Sequence, residues 1–270
     1  MIDIQNTQDT REIPLQKVGI KDLKYPVTVL DKFKKSQQTT ASVNLYVNLP
    51  HNYKGTHMSR FIEIFHRYHQ NLEMKKFLEM LDEIRKSLDA ERAFGSMTFP
   101  FFMSKKAPVS NSESIMSYTC TYEGEVSVKK EDDGSEQKAE NFFVRIKIPV
   151  TTVCPCSKAI SDYGAHNQRG IVTVKLQNTS FFWIEDIIEL VEGCASSGLY
   201  SILKRPDEKF VTERAYDNPR FVEDVVREVY SALKNFGGSE KPFASFSVEC
   251  ENFESIHNHN AYACAEYNQK

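Results

Sequence analysis

Long apolar runs are missing from this chain. Nowhere in its 270 residues does a stretch approach the roughly 18–20 apolar residues of a membrane-spanning helix. The first residues, Met1-Ile2-Asp3-Ile4-Gln5-Asn6, have neither the cationic nor the apolar part of a secretory signal. Cysteine is scarce too. Six thiols are too few for a disulfide scaffold, so free or metal-bound thiols in a cytoplasmic protein are the expectation. Charge of one sign is also lacking: 34 Lys and Arg stand against 37 Asp and Glu, a net charge of −3. That balance argues against a nucleic-acid partner and leaves any anionic ligand to a local basic pocket. What is present is a 40% hydrophobic and 11% aromatic content, enough for a packed core and too much for a disordered chain.

Patterning divides the chain into two similar halves. Residues 1–13 are polar and read as a loose arm. Strand-like runs follow near 15–34 and 41–49, the second alternating Val43, Leu45 and Val47. Met58, Phe61, Ile62 and Phe65 keep the i, i+3/i+4 spacing of a helix, as do Phe77, Met80, Leu81, Ile84 and Leu88. Strand patterns return near 96–104 and 115–128. After the apolar-free run Lys129 to Lys138, with its Asp133-Gly134 turn signal, the order recurs. Strands are expected near 141–152 and 170–177, helices near 183–198 and 219–236, and strands near 243–250 and 261–267. Both halves read ββααββ, which predicts an α+β protein of two sheets, each backed by helices, with modules at 14–130 and 131–270.

One connection is chemically loaded. Residues 153–170, V-C-P-C-S-K-A-I-S-D-Y-G-A-H-N-Q-R-G, bring together Cys154, Cys156, Lys158, His166, Gln168 and Arg169 between two strand patterns. Such connections are where a rigid scaffold presents function. Cys154-Pro155-Cys156 lacks the spacing of a zinc knuckle, and no second pair lies nearby, which argues against a closed four-cysteine site. If the backbone there is extended, the two thiols cannot easily face one ion, so one ligand and one accessory thiol is the economical reading. Elsewhere local signals are weaker. His257 and His259 sit in a polar connection where core packing does not explain them. Glu208 reads as a solvated turn residue, and Glu223 as an i, i+4 partner of Arg227. Gly55 to Phe61 opens a helix whose N–H groups, with Arg60, suit an anion.

Four segments together resemble GTP cyclohydrolase of type IB: G-T-H-M-S-R-F (55–61), P-V-T-T-V-C-P-C-S-K (149–158) continuing to the Gly at 170, L-K-R-P-D-E-K (203–209) continuing to Asp224, and E-S-I-H-N-H-N-A (254–261). The resemblance spans residue 14 to the end. It implies a tunnelling fold (T-fold) of two ββααββ modules. Antiparallel sheets backed by helices then join as an oligomeric barrel in a homotetramer, with active sites at subunit interfaces. It also implies conversion of GTP and water to 7,8-dihydroneopterin triphosphate and formate. A divalent ion (Mn²⁺, Fe²⁺ or Zn²⁺) activates water for attack at purine C8. By the same resemblance Cys154, His166, Glu208 and His257 surround the metal, an S/N/N/O set that all three ions accept. Cys156 is the second active-site thiol. Glu223 holds the guanine, and Arg60, Lys158, Arg169, Lys204 and Arg205 are partners for the triphosphate.

Three other readings fit less well. A zinc nucleobase deaminase needs an H-x-E motif followed by P-C-x-x-C, and neither occurs. A non-catalytic purine-binding protein of the same fold has no need of the Cys154 and His166 pair. A nitrile reductase of that fold group, with a cysteine nucleophile and NADPH, has no need of Glu208 and His257.

Overall fold

Alternation of apolar and polar residues makes strands here because every second side chain reaches the same face. In the computed structural model, which describes all residues except 1–4, 6, 71, 131–134, 239 and 270, β1 (Leu15–Asp31) turns back onto β2 (Lys35–Leu49) as an antiparallel pair. Val43, Leu45 and Val47 are buried as the pattern predicts. Then come α1 (Met58–Tyr68), α2 (Met74–Ser87), β3 (Arg92–Lys106) and β4 (Glu113–Lys130). The second half runs β5 (Glu136–Val153), α3 (Pro155–Ile160), β6 (Asn167–Asn178), α4 (Ile184–Cys194), β7 (Ser197–Gly198), α5 (Arg205–Asp217), α6 (Val222–Lys234), β8 (Phe243–Asn252) and β9 (Ala261–Asn268).

The first half has the expected ββααββ order; the second keeps it but adds α3, β7 and α5. The class is α+β. Where two sheets were expected there is one. The strand order is β1-β2-β3-β4-β5-β6-β8-β9, with β7 paired to β5, and the sheet stays open. Strand edges carry unpaired N–H and C=O groups that favour continued pairing. Pro26 lies on β1 at the sheet's edge, where a missing N–H is tolerated. The segment expected to turn between the halves includes residues 131–134, outside the described residues; Lys130 closes β4 on one side and Glu136 opens β5 on the other. The N-terminal arm is not loose at Gln5, Thr7 and Asp9. Lys54 N–H donates to the Thr7 carbonyl at 3.1 Å, Asp9 N–H to Asn52 at 3.2 Å, and Gly55 N–H to Gln5 at 3.2 Å.

By its internal packing the chain divides into two units, Met1–Pro100 with Thr121–Phe143, and Phe101–Cys120 with Val144–Lys270. In the first, α2 lays Phe77 and Leu81 against glycines on β3 and β4. A Cβ at Gly95 would stand 2.8 Å from Leu81 Cδ2, and one at Gly124 would stand 2.9 Å from both Leu81 Cδ1 and Phe77 Cε1. Phe77 also meets Tyr122 and Phe142 edge-on, at centroid distances of 6.4 and 5.7 Å, a favoured aromatic geometry. In the second unit, Ile187, Ile188 and Val191 of α4 and Val225, Val226, Val229 and Leu233 of α6 are buried, as are Val172, Val174 and Leu176 of β6 and Val248 of β8. All six cysteines are free thiols, in line with the composition.

Gly124→Ala is expected to destabilise the protein by about 1–3 kcal/mol, the cost of overpacking a filled core. Denaturant unfolding measures it, and an unchanged midpoint would show that α2 rides more loosely on the sheet.

Candidate active site

The loaded connection begins where β5 ends. Proline at a first helical position costs no hydrogen bond and presets φ, and Pro155 starts the short α3 that way. Cys154 is its N-cap residue, its Sγ accepting from Ser157 N–H at 3.4 Å. The backbone is therefore helical after Cys154, not extended. The two thiols separate for that reason: Cys154 lines a cleft, whereas Cys156, in the first turn, is exposed and does not line it.

His166 is tied back to the same turn. Cys154 N–H donates to the His166 carbonyl at 3.1 Å, and His166 N–H donates to Ser157 Oγ at 3.1 Å. Its ring Nδ1 stands 3.0 Å from Gln168 Oε1, while Gln168 Nε2 donates to Thr152 Oγ1 at 2.8 Å. An amide oxygen only accepts, so Nδ1 carries a proton, and the neutral ring then has its lone pair on Nε2. Gln168 is buried. This is the supporting arrangement found behind metal-bound imidazoles, where the far nitrogen is fixed by a hydrogen bond.

The cleft holds about 300 Å³ and takes its opposite wall from the start of α6, with Arg220, Phe221, Val222 and Glu223. Asp224, at the third helical position, accepts from Phe221 N–H at 3.0 Å and lies 3.8 Å from Arg227. Asp224, not Glu223, is thus the cap and the partner of Arg227, and Glu223 is exposed and lines the cleft. The end of β8 adds Asn252, and the turn from β8 to β9 adds Glu254, His257 and His259. The two imidazoles are stacked, 5.2 Å apart with their planes at 20°.

Glu208 lies elsewhere: it is exposed on the first turn of α5 and does not line the cleft. Its neighbour explains the position. Asp207, with none of its surface exposed, accepts from Val109 N–H (2.9 Å), Ser110 N–H (2.8 Å), Ser110 Oγ (2.6 Å) and Lys204 N–H (2.8 Å). That pins the first turn of α5 to the 109–110 turn. The far end of the helix meets the loaded connection, where Lys158 Nζ donates to the Tyr216 carbonyl at 2.5 Å and covers the Tyr216 ring at 4.3 Å. Eight residues of helix, about 12 Å, separate the two ends. Of the expected triphosphate partners, Lys158 is thereby engaged. Arg169, Lys204 and Arg205 are exposed outside the cleft. Arg60 lies in the first unit and donates to the Ser87 carbonyl at 2.6 Å.

Gln168, Arg220, Glu254 and His259 line the cleft without having been assigned a role from sequence. Each lies inside or beside the motif segments, so proximity to Cys154, Glu223 and His257 was the available signal.

A family model described as "Type I GTP cyclohydrolase folE2" matches residues 1–263. The chain belongs to the type I GTP cyclohydrolase FolE2 family. Its relatives in this family include a GTP cyclohydrolase FolE2 of Geobacter sulfurreducens, 50% identical over 270 residues with 100% of this chain and 99% of the relative covered. Another, from Syntrophus aciditrophicus, is 52% identical over 266 residues, covering 98% and 99%. Among solved structures, a mutant urate oxidase of Bacillus sp. TB-90 superposes with a TM-score of 0.55 at 10% identity, covering 94% of this chain and 100% of that one. At that identity the likeness bears on fold, and it agrees with the tunnelling-fold class. The FolE2 chain has no helix, among the described residues, long and apolar enough to cross a membrane.

The donor chemistry of the FolE2 cleft suits a divalent ion: one thiol, imidazoles at His166 and His257, and a His166 tautomer with its lone pair on Nε2. Among the described residues, no three of His, Cys, Asp and Glu stand close enough together to hold one ion within this single chain.

Gln168→Leu should lower metal affinity by about 10- to 100-fold, the usual loss when such a supporting hydrogen bond goes. Metal titration of the folded variant measures this, and unchanged affinity would show that Gln168 does not orient His166. Asp207 yields a pH prediction. Burial raises its pKa, but the hydrogen bonds from Ser110, Lys204 and Val109 outweigh burial and hold it well below the usual carboxylate range. A depressed native pKa gives stability that is complete above the unfolded value near 4 and falls as pH drops below it. Asp207→Asn should therefore melt lower at neutral pH and show a shallower acid decline; parallel acid branches would contradict the assignment.

Proposed function

We propose that this chain is a metal-dependent GTP cyclohydrolase I. It converts GTP and water to 7,8-dihydroneopterin triphosphate and formate, the first step of folate and pterin biosynthesis. The convergence of Cys154, His166, His257 and Glu223 on one cleft carries this reading. A bound Mn²⁺, Fe²⁺ or Zn²⁺ supplies the Lewis acidity that lowers the pKa of water for attack at C8. Cys154 Sγ, His166 Nε2 and His257 would be its ligands from this side of the cleft, once drawn closer than they stand in the single chain. Glu208 is the carboxylate of the set, and it has to be brought to the cleft by assembly or by movement of the first turn of α5.

Glu223 accepts from guanine N1–H and the exocyclic amine, two parallel charge-assisted bonds that fix the base. With C8 thus oriented, Cys156 at the mouth of the connection serves proton transfer or positioning. A cleft of about 300 Å³ is at the small end of ligand sites and suits the base, leaving the triphosphate to Arg60, Lys158, Arg169, Lys204 and Arg205 outside it. The active unit is a homotetramer in the cytoplasm, with sites at subunit interfaces. Ile160 and Tyr163, 84% and 94% exposed beside the cleft, support a covered face there. Each chain contributes modules 14–130 and 131–270 after the arm of residues 1–13.

Chelator-stripped protein incubated with GTP should regain turnover with Mn²⁺, Fe²⁺ or Zn²⁺, read as neopterin fluorescence after oxidation and as formate. Cys154→Ala and His166→Ala should abolish both signals. Full turnover in either variant sinks the proposal.

A further inference from the structure

Arg220 is the single Lys or Arg among the residues lining the cleft, and its guanidinium is only partly used by the protein. The backbone holds it firmly: Arg220 N–H donates to the Val153 carbonyl at 3.0 Å, one residue before Cys154. Nη1 donates to Glu228 Oε1 at 3.2 Å, but Nε is buried without an acceptor. An unsatisfied buried donor costs free energy and calls for an explanation. The side chain keeps 29% of its surface exposed, and Nη1 with Glu228 is its one side-chain hydrogen bond among the described residues.

The acceptor can be identified by chemistry. A carboxylate at Glu223 matches the two donors on one edge of guanine, N1–H and the 2-amino group. The same edge continues to O6, which only accepts. A site that grips the two donors and offers nothing to O6 would strand a carbonyl in a low-dielectric cleft. Arg220, three residues before Glu223 on the same wall, supplies the missing donor, and arginine is the usual partner of this oxygen in guanine readout.

We propose that Arg220 is a specificity-determining residue that donates to the purine 6-oxo group, so that Glu223 and Arg220 together read the whole edge and exclude 6-amino purines. This rests on the reading of the cleft as a guanine site. It assigns to the start of α6 both halves of base recognition, a fixed acceptor and a fixed donor. The exposed end of the guanidinium, not the buried Nε, is the part that can reach such an acceptor, and a positioned donor gains most when its acceptor arrives with the substrate.

The test compares GTP with 6-thio-GTP, which keeps N1–H and the 2-amino group but replaces O6 with a weak acceptor. Calorimetric Kd values for the metal-loaded enzyme, with kcat and KM alongside, are measured for the unaltered protein, Arg220→Gln and Arg220→Lys. The unaltered protein should bind GTP more tightly than 6-thio-GTP by about tenfold or more, the size of one charge-assisted hydrogen bond. Arg220→Gln should lose affinity for GTP while losing little for 6-thio-GTP, and Arg220→Lys should restore part of the difference. Equal losses for both nucleotides would overturn the proposal and make Arg220 a phosphate or structural contact, as would an unaltered protein that does not discriminate. A protein that binds with the expected preference but releases no formate would leave this inference standing and defeat the cyclohydrolase reading.

Discussion

The Val153 backbone is the constraint on which the cleft depends. Its N–H donates to Ser196 Oγ at 3.1 Å, and its carbonyl accepts from Arg220 N–H at 3.0 Å. One residue's backbone thus joins the end of β5, the turn after α4 and the approach to α6. Ser196 is fully buried, so these bonds are shielded from competing water. Cys154 follows immediately on one strand of this knot and Glu223 three residues after Arg220 on the other. The thiol side and the carboxylate side of the cleft are therefore set by the same pair of hydrogen bonds.

Helix starts extend the pattern. In α5 and α6 the third helical residue is an aspartate reaching back to the residue before the helix, Asp207 to Lys204 N–H and Asp224 to Phe221 N–H. This satisfies an orphan donor and suits the positive end of each helix. It also divides labour among acidic neighbours. In α6 the cap occupies Asp224 and frees Glu223 for the cleft, whereas in α5 the cap buries Asp207 and leaves Glu208 outward. Two similar sequences, P-D-E and V-E-D, thereby place their spare glutamates in different surroundings.

Elements with an apolar stripe were legible from sequence. The spacings at 58–65, 77–88, 184–191 and 222–233 mark α1, α2, α4 and α6, because those helices bury one face against the sheet. Helix α5 was missed: only Asp207 and Ala215 of its thirteen residues are buried, so caps and side-chain bonds hold it and no periodicity betrays it. Helix α3, six residues with none buried, has only Pro155 as a local sign. The recurring ββααββ order of elements was legible too, but not the single sheet, since strand pairing uses backbone groups that every residue carries.

Family membership was settled by local strings of residues, and so were the residue types at the site, because thiol, imidazole and carboxylate identity is written directly in the chain. Which of them meet is a different matter. Cys154 entered the cleft and Cys156 did not because a proline starts a helix between them. Glu223 reached the cleft while Glu208 stayed outside it because each sits beside an aspartate with a different partner. Gln168 and Arg220 are held at the cleft by bonds to Thr152, Val153 and Glu228, contacts across 16, 67 and 8 positions. Chemistry of the groups lies in the sequence; their convergence is decided by long-range hydrogen bonds that only the folded chain can close.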